Sequence, residues 1–501
     1  MKTIIEPFRT KVVEALRFST KEERRLALLK AQFNVFKLRA DEVMIDLLTD
    51  SGTSAMSAEQ WAAMMRGDES YAGCESFFRF ERAIQDVFGF PEVIPVHQGR
   101  AAERIVFGAL VREGQIVPSN NHFDTTRANI EAFGAIALDL CCKESFDSAS
   151  TFPFKGNIDI EKVKEVLRAD REKIPFAMLT ITNNTAGGQP ASLENIIEYS
   201  GLLKQARVPF FIDAARFAEN SFLIKERSCQ YRSETIEGIV RTTFDQADGC
   251  LMSAKKDAFA NMGGFIALRD KVLAEKLKQS LIISEGFPTY GGLNGRDLEA
   301  IAVGIREVLS ENYLRYRYAA AKYLANGLDK LGIPYVKPHG MHAIYIDAQK
   351  FLPHIDKKDL PGQALVCELY LEAGIRSCEI GTLMCGKSDL VTGQIELADS
   401  ELVRLALPRR VYSQSHFDYV IEALGEVFDR RSEIVGLAIK WQPRVLRHFT
   451  AAMEPLRKTM EGIDGSSCSQ FNQLAESTGK AALMDAISSR HFAKSITDFE
   501  I

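Results

Sequence analysis

Between residues 90 and 270 six short apolar runs recur, separated by stretches long enough for helices, and this alternation constrains the fold more than any other feature of the chain. The runs are PEVIPV, FGAIALDL, PFAMLTIT, VPFFID, DGCLMSA and GGFIALRD. Strands that alternate with helices pack as a largely parallel sheet covered by those helices, the α/β class. The segment LENIIEYSGLLKQARV follows a turn signal at Gly187, Gly188 and Pro190. Its spacing predicts a helix whose apolar stripe is Ile196, Ile197, Leu202 and Leu203.

A chain of 501 residues exceeds what one core usually supports, so two domains are expected. A long helical stretch, VLSENYLRYRYAAAKYLANGLDKLG, sets the expected boundary near residue 305, with a smaller α/β unit running to about residue 455. The stretch after that is polar and reads as a tail or an added cap. With 62 basic against 67 acidic residues the net charge of -5 gives no basic field for a phosphate backbone, so no nucleic-acid partner is expected. The opening residues lack the apolar core of a signal peptide, and no run is long enough to span a bilayer. Nine cysteines stand in apolar contexts without a C-x-x-C pair, which predicts core residues in a reducing compartment and a cytoplasmic protein. Residues 381–388, GTLMCGKS, spell a phosphate-loop pattern, but no helical period follows them, so the match is expected to be accidental.

The run DGCLMSA leads straight into two lysines, Lys255 and Lys256. Such a pair is often only a solvated turn. At the end of a buried strand, however, desolvation and a neighbouring cation both drive an ammonium toward the nucleophilic amine. Asp213 ends the run VPFFID, with Arg216 three residues later. That carboxylate either caps the following helix or faces a ligand at the carboxyl edge of the sheet. In VHQGRAAE, Gln98, Gly99 and Arg100 stand where a strand turns into a helix, offering amides and a guanidinium to a phosphate. One cofactor, pyridoxal phosphate, accounts for all three stretches: carboxylate for the ring nitrogen, lysine for the aldehyde, helix start for the phosphate.

From about residue 6 to residue 455 the chain resembles the pyridoxal-phosphate-dependent β-eliminating lyases that cleave aromatic amino acids. DLLTDSGTSAMS, AAMMRGDESYAG, PVHQGRAAE, TITNNTAGGQP, DAARFAEN, MSAKKDA, NMGGF, EGFPTYGGL and VLRHFTA carry the likeness, in order. The resemblance implies fold type I, the aspartate aminotransferase-like architecture, with a large, mostly parallel seven-stranded sheet domain and a smaller α/β domain. It divides the chain into an arm at 1–19, a small-domain segment at 20–47, the large domain at 48–305, the small domain at 306–455 and an extra tail at 456–501.

The same resemblance assigns roles. Lys256 carries the cofactor as a Schiff base, with Lys255 its polar neighbour. Phe123 stacks on the cofactor ring, Asp213 holds its nitrogen and Arg216 its phenolic oxygen. Gln98, Gly99, Arg100 and Ser253 bind the phosphate. Asn184 and Arg404, with Ser51, hold the substrate carboxylate, while Tyr71 acts as general acid at the leaving group. Glu69 with the carbonyls of Gly52 and Asn261 forms a potassium site, and Tyr290 serves a neighbouring subunit of a tetramer.

Three positions point to the tryptophan-cleaving branch rather than the tyrosine-cleaving one. They are Asp124 where the phenol-releasing branch has threonine, Ile380 where it has arginine, and His448 where it has phenylalanine. A carboxylate suits an indole N–H, and an apolar Ile380 leaves no charge against the benzo ring. Cys74, Glu75 and Ala101 depart from the family pattern. The competing expectations are a phenol-releasing lyase, an aminotransferase of the same fold and a binding protein with decayed chemistry.

Overall fold

A computed structural model describes residues 3–388 and 395–456, and the expected tail therefore lies outside the described residues. Residues 1–456 cluster as one compact unit. All six apolar runs form strands: β1 (Glu92–Val96), β3 (Ile136–Asp139), β4 (Ala177–Thr180), β5 (Phe210–Asp213), β6 (Gly249–Ser253) and β7 (Gly264–Leu268). A seventh, β2 (Ile116–Ser119), has only Ile116 and Val117 before Pro118 and the polar Ser119, too short an apolar run to read as a strand.

The order β1-β7-β6-β5-β4 makes one five-stranded sheet, and β2 pairs in parallel with β3 alone. Only β7 runs against the others, so the arrangement is mostly parallel, but the expected single seven-stranded ladder is divided at a seam. Gln115 and Ser119 offer their carbonyls to Ile136 and Leu140 on the β3 side. By the alternation of strand bonding Pro118 faces the other side, where it has no N–H to give. The Asn120 side chain closes the seam instead. Its Oδ1 accepts from the Thr180 N–H at 2.9 Å, and its Nδ2 donates to the Thr180 carbonyl at 2.9 Å and the Gly156 carbonyl at 2.6 Å.

Side chains alternate across the sheet. Leu179, Ile212, Cys250, Met252 and Phe265 enter one apolar cluster, while Met178, Phe211, Leu251 and Ile266 enter another on the opposite face. Burial on both faces explains why these strands read as continuous apolar runs. A third large cluster draws on residues 27–47 and 321–453, including the helix Glu311–Leu331.

The helix Leu193–Ala206 forms as expected, but its buried stripe is Leu193, Ile196, Tyr199 and Leu203. Ile197 is exposed, because the buried stripe advances from Leu193 by steps of three, three and four residues and leaves Ile197 beside it. Residues 382–385 make a single helical turn followed by a two-residue strand, which is no phosphate loop. Among the described residues no helix is long and apolar enough to cross a membrane.

Candidate active site

The carboxyl ends of β5 and β6 open into a cavity of about 270 Å³. Asp213 is the last residue of β5, and Lys255 and Lys256 lie in the turn after Ser253, the last residue of β6. The helix α1 (Gly99–Leu110) starts against the same edge, with Gln98 as its N-cap residue. A Cβ on Gly99 would stand 2.9 Å from the Ser253 Cβ, so glycine is what lets the helix start close on β6. Gln98, Gly99, Arg100, Ser253, Lys255, Lys256, Asp213, Arg216, Phe123, Asp124, Asn184, Ser51, Arg404 and His448 all line this one cavity, although they span 398 positions of the chain.

The electrostatics favour a free amine at its centre. Burial, then the nearby Arg216, bring the Lys256 ammonium down from 10.5 to about 8, against the opposing pull of Asp213 and Asp50. Burial also lowers Lys255, which donates to Gln98 Oε1 at 3.3 Å. Arg216 is held by Asp50 through two hydrogen bonds, Nε at 2.9 Å and Nη2 at 2.7 Å. Asp50 is itself pinned by Arg409, which also donates to Glu219 at 2.9 Å and Asp257 at 2.7 Å. Arg317 adds a bond to Glu219 at 2.6 Å. Three buried carboxylates thus meet three buried guanidinium groups directly behind the lysine.

Asn184 Oδ1 accepts from the Tyr345 hydroxyl at 2.8 Å and lies 3.0 Å from His342 Nε2. Its oxygen is therefore occupied and its amide donors remain for the cavity. Arg404 spends one Nη2 donor on the Leu48 carbonyl at 2.8 Å, and its buried Nε has no partner. A buried guanidinium with unspent donors suits a carboxylate ligand. On the opposite wall Asp124 opens the helix α2 (Asp124–Glu131), and its Oδ2 stands 3.2 Å from His448 Nε2. His448 also packs against Phe449, with ring centroids 4.0 Å apart.

Other expected residues lie elsewhere. Ile380 lines a neighbouring cavity of about 440 Å³ that shares Phe123, Asp124, Asn184 and Met384 with the first. Tyr71 is 71 % exposed and packs on Tyr290 and Phe287, outside the cavity of its own chain. Asn261 donates its amide to the Gly52 carbonyl at 3.1 Å, so those two segments meet. The Glu69 carboxylate is turned instead to Arg296 at 3.1 Å and the Gly295 N–H. Among the described residues no group of three His, Cys, Asp or Glu side chains is disposed to hold a metal. Sequence reasoning overlooked Glu103, Phe36 and Met384, which line the cavity, and the buried Asp50–Arg409 cluster behind it.

The residues present fit pyridoxal phosphate: an amine that is partly free near neutral pH, a strand-end carboxylate opposite, an aromatic ring at Phe123 and a helix start closed by Gly99.

Comparison with known proteins agrees with this geometry. The family model described as beta-eliminating lyase matches residues 46–423. The tryptophanase of Hyphomonas neptunium is 55 % identical over 456 residues, covering 91 % of this chain and 100 % of that protein. The tyrosine phenol-lyase of Pasteurella multocida is 43 % identical over 451 residues, covering 90 % of this chain and 98 % of its own. Among solved structures, the Sphingomonas wittichii serine palmitoyltransferase superposes with a TM-score of 0.56 at 14 % identity, covering 82 % of this chain and 97 % of that one, a likeness of fold alone.

Proposed function

The chain belongs to the β-eliminating lyases, and from that premise we propose how its cavity works. It is a carbon–carbon lyase that uses pyridoxal phosphate and splits L-tryptophan by β-elimination into indole, pyruvate and ammonia. The observation that carries the reading is the opposition, in one cavity, of the buried amine of Lys256 and the Asp124–His448 pair.

When bound, pyridoxal phosphate supplies an electron sink for the carbanion left by removal of the α-proton. Lys256 would hold the cofactor, and Gln98, Gly99, Arg100 and Ser253 would hold its phosphate. Asp213 would keep the ring nitrogen protonated, Phe123 would pack against the ring, and Arg216, oriented by Asp50, would hold the phenolic oxygen. Arg404, Asn184 and Ser51 bind the substrate carboxylate and so fix the Cα–H bond toward Lys256. Lys256, whose amine burial and Arg216 bring down to about 8, is the base placed to take the α-proton.

An aromatic carbon leaves only as a neutral group, so the ring carbon bearing the side chain must be protonated first. Tyr71 is the donor. Its exposure beside Tyr290, away from its own cavity, supports delivery of both tyrosines to a second copy across a dimer within a homotetramer. Asp124, ordered by His448, accepts the indole N–H, and Ile380 keeps charge away from the benzo ring. The three-carbon remainder hydrolyses to pyruvate and ammonia. The carbonyls of Gly52 and Asn261, with Glu69 freed from Arg296, would take a potassium ion near Lys255, a reading supported by the close approach of the Asn261 carbonyl to Gly52.

Purified protein supplied with pyridoxal phosphate and potassium is offered tryptophan and tyrosine separately. Indole with pyruvate from tryptophan is expected; phenol as the main aromatic product would overturn the roles of Asp124 and His448. Sodium in place of potassium is expected to lower turnover, and equal rates in both salts would remove the potassium assignment.

A further inference from the structure

We propose that Glu103 is a positioning residue for indole recognition: it fastens the start of α2 and so sets where the Asp124 carboxylate stands in the cavity. The inference rests on the reading of Asp124 as acceptor for the indole N–H.

Glu103 belongs to α1, and its buried side chain reaches the cavity wall. Its Oε1 accepts from the Thr126 hydroxyl at 2.5 Å. Its Oε2 accepts from the Thr125 hydroxyl and from the Asn129 amide, each at 3.2 Å. All three donors sit in the first two turns of α2, whose first residue is Asp124. The bonds therefore tie the phosphate-facing helix to the helix that carries the indole acceptor.

The choice of an acid here is informative. Three donors converge on Glu103, the pattern a carboxylate needs, yet no ion pair with a cation exists for it among the described residues. Burial and the like charge of Asp213 work against ionisation, and the group is raised to about 7. Support of the fold alone would be met more cheaply by an apolar side chain in the same space. What the acid adds is two oxygens aimed at one helix start.

Thr125 transmits the effect. Its hydroxyl goes to Glu103, while its backbone N–H donates to Asp124 Oδ1 at 2.7 Å. The other Asp124 oxygen stands 3.2 Å from His448 Nε2. Loosening Thr125 and Thr126 thus lets the Asp124 carboxylate drift relative to His448, and Thr126→Val does so while keeping the Glu103 carboxyl that faces Asp213.

Two variants of the holoenzyme test this. Glu103→Gln leaves one acceptor oxygen in place of two, and Thr126→Val removes a donor while Glu103 remains. For each, kcat/KM is measured with L-tryptophan and with S-methyl-L-cysteine, whose thiolate departs without ring protonation and has no N–H for Asp124. The Kd for pyridoxal phosphate is measured by absorbance titration. Both variants should lose about tenfold on tryptophan, the size of one strained hydrogen bond, and stay within about twofold on S-methylcysteine and in cofactor Kd.

Equal losses on both substrates, or cofactor binding weakened about tenfold, would overturn the inference, because both signal general support of the fold. Asp124→Asn separates the two levels of the argument. If it fails to distinguish the substrates, the Asp124 reading itself falls. If it distinguishes them and the Glu103 and Thr126 variants do not, only the present inference falls.

Discussion

Replacing Arg409 by methionine should expose how the cavity floor is held. Its side chain is fully buried and donates to Asp50 at 2.9 Å, Glu219 at 2.9 Å and Asp257 at 2.7 Å. Methionine fills similar space and removes the charge, leaving three buried carboxylates to share Arg216 and Arg317. Breaking a buried pair by deleting one partner costs about 3–5 kcal/mol, because the remaining charge is stranded. In a unit of this size that lowers Tm by about 3–5 °C.

The loss should depend on pH with a definite sign. Burial already raises the Asp257 carboxyl to about 6, above its ordinary 3.8, so the folded state binds more protons than the unfolded one and loses stability as pH rises from about 4 to 6. Without Arg409, the largest factor lowering it, the folded value climbs further and the loss continues above pH 6. Calorimetry of Arg409→Met and the parent at one scan rate, near pH 8 and near pH 5.5, should therefore show the larger gap at the higher pH. A gap under about 2 °C, or one equal at both pH values, would refute the argument that Arg409 compensates these acids.

Lys256→Ala should abolish both the visible absorbance of bound pyridoxal phosphate and lyase turnover, read by spectrum and by indole release. In protein freed of cofactor, reductive methylation of Lys256 followed by peptide mass spectrometry should give a rate that rises with pH to a midpoint near 8, where burial and Arg216 put the amine, and not near 10.5. His448→Phe should cost tryptophan kcat/KM about tenfold by freeing Asp124, with S-methylcysteine little affected. Asn120→Leu should destabilise the chain by about 2–3 kcal/mol or more, since the three hydrogen bonds across the seam and two to Ser119 and Asn121 are lost, and hydrogen exchange should quicken first at residues 116–119.

Much of the fold was legible because β4, β5, β6 and β7 are buried on both faces, so each reads as an apolar run, and the chemistry stands at the ends of β5 and β6. Asp213 and Lys256 could be located for that reason: each follows such a run. β2 was hidden because its apolar run is two residues long before Pro118, whereas β1 carries Pro95 within a longer apolar run. Ile197 was misassigned because adjacent isoleucines offer two stripes and only the packing against the sheet selects one. The cluster behind the lysine was not legible, because Arg409 meets Asp257 and Asp50 across 152 and 359 positions. Such pairs have no local signature. Tyr71 and Glu69 were recognisable by motif, yet the fold of one chain turns both away from its own cavity.

The seam between β2 and β4 bears on how such a cavity can diversify. A strand held by a ladder shifts only in whole residues, and each single step inverts its faces. Across the seam β2 meets β4 through side chains, the Asn120 amide and the Thr180 hydroxyl, which donates to the Asn121 carbonyl at 3.1 Å, and β2 runs directly into Phe123 and Asp124. The wall that recognises the leaving group can therefore be retuned by fractions of an ångström through changes at these few side chains. Drift in substrate choice need not disturb the strands that position Asp213 and Lys256, so selectivity and chemistry are separately evolvable within one scaffold.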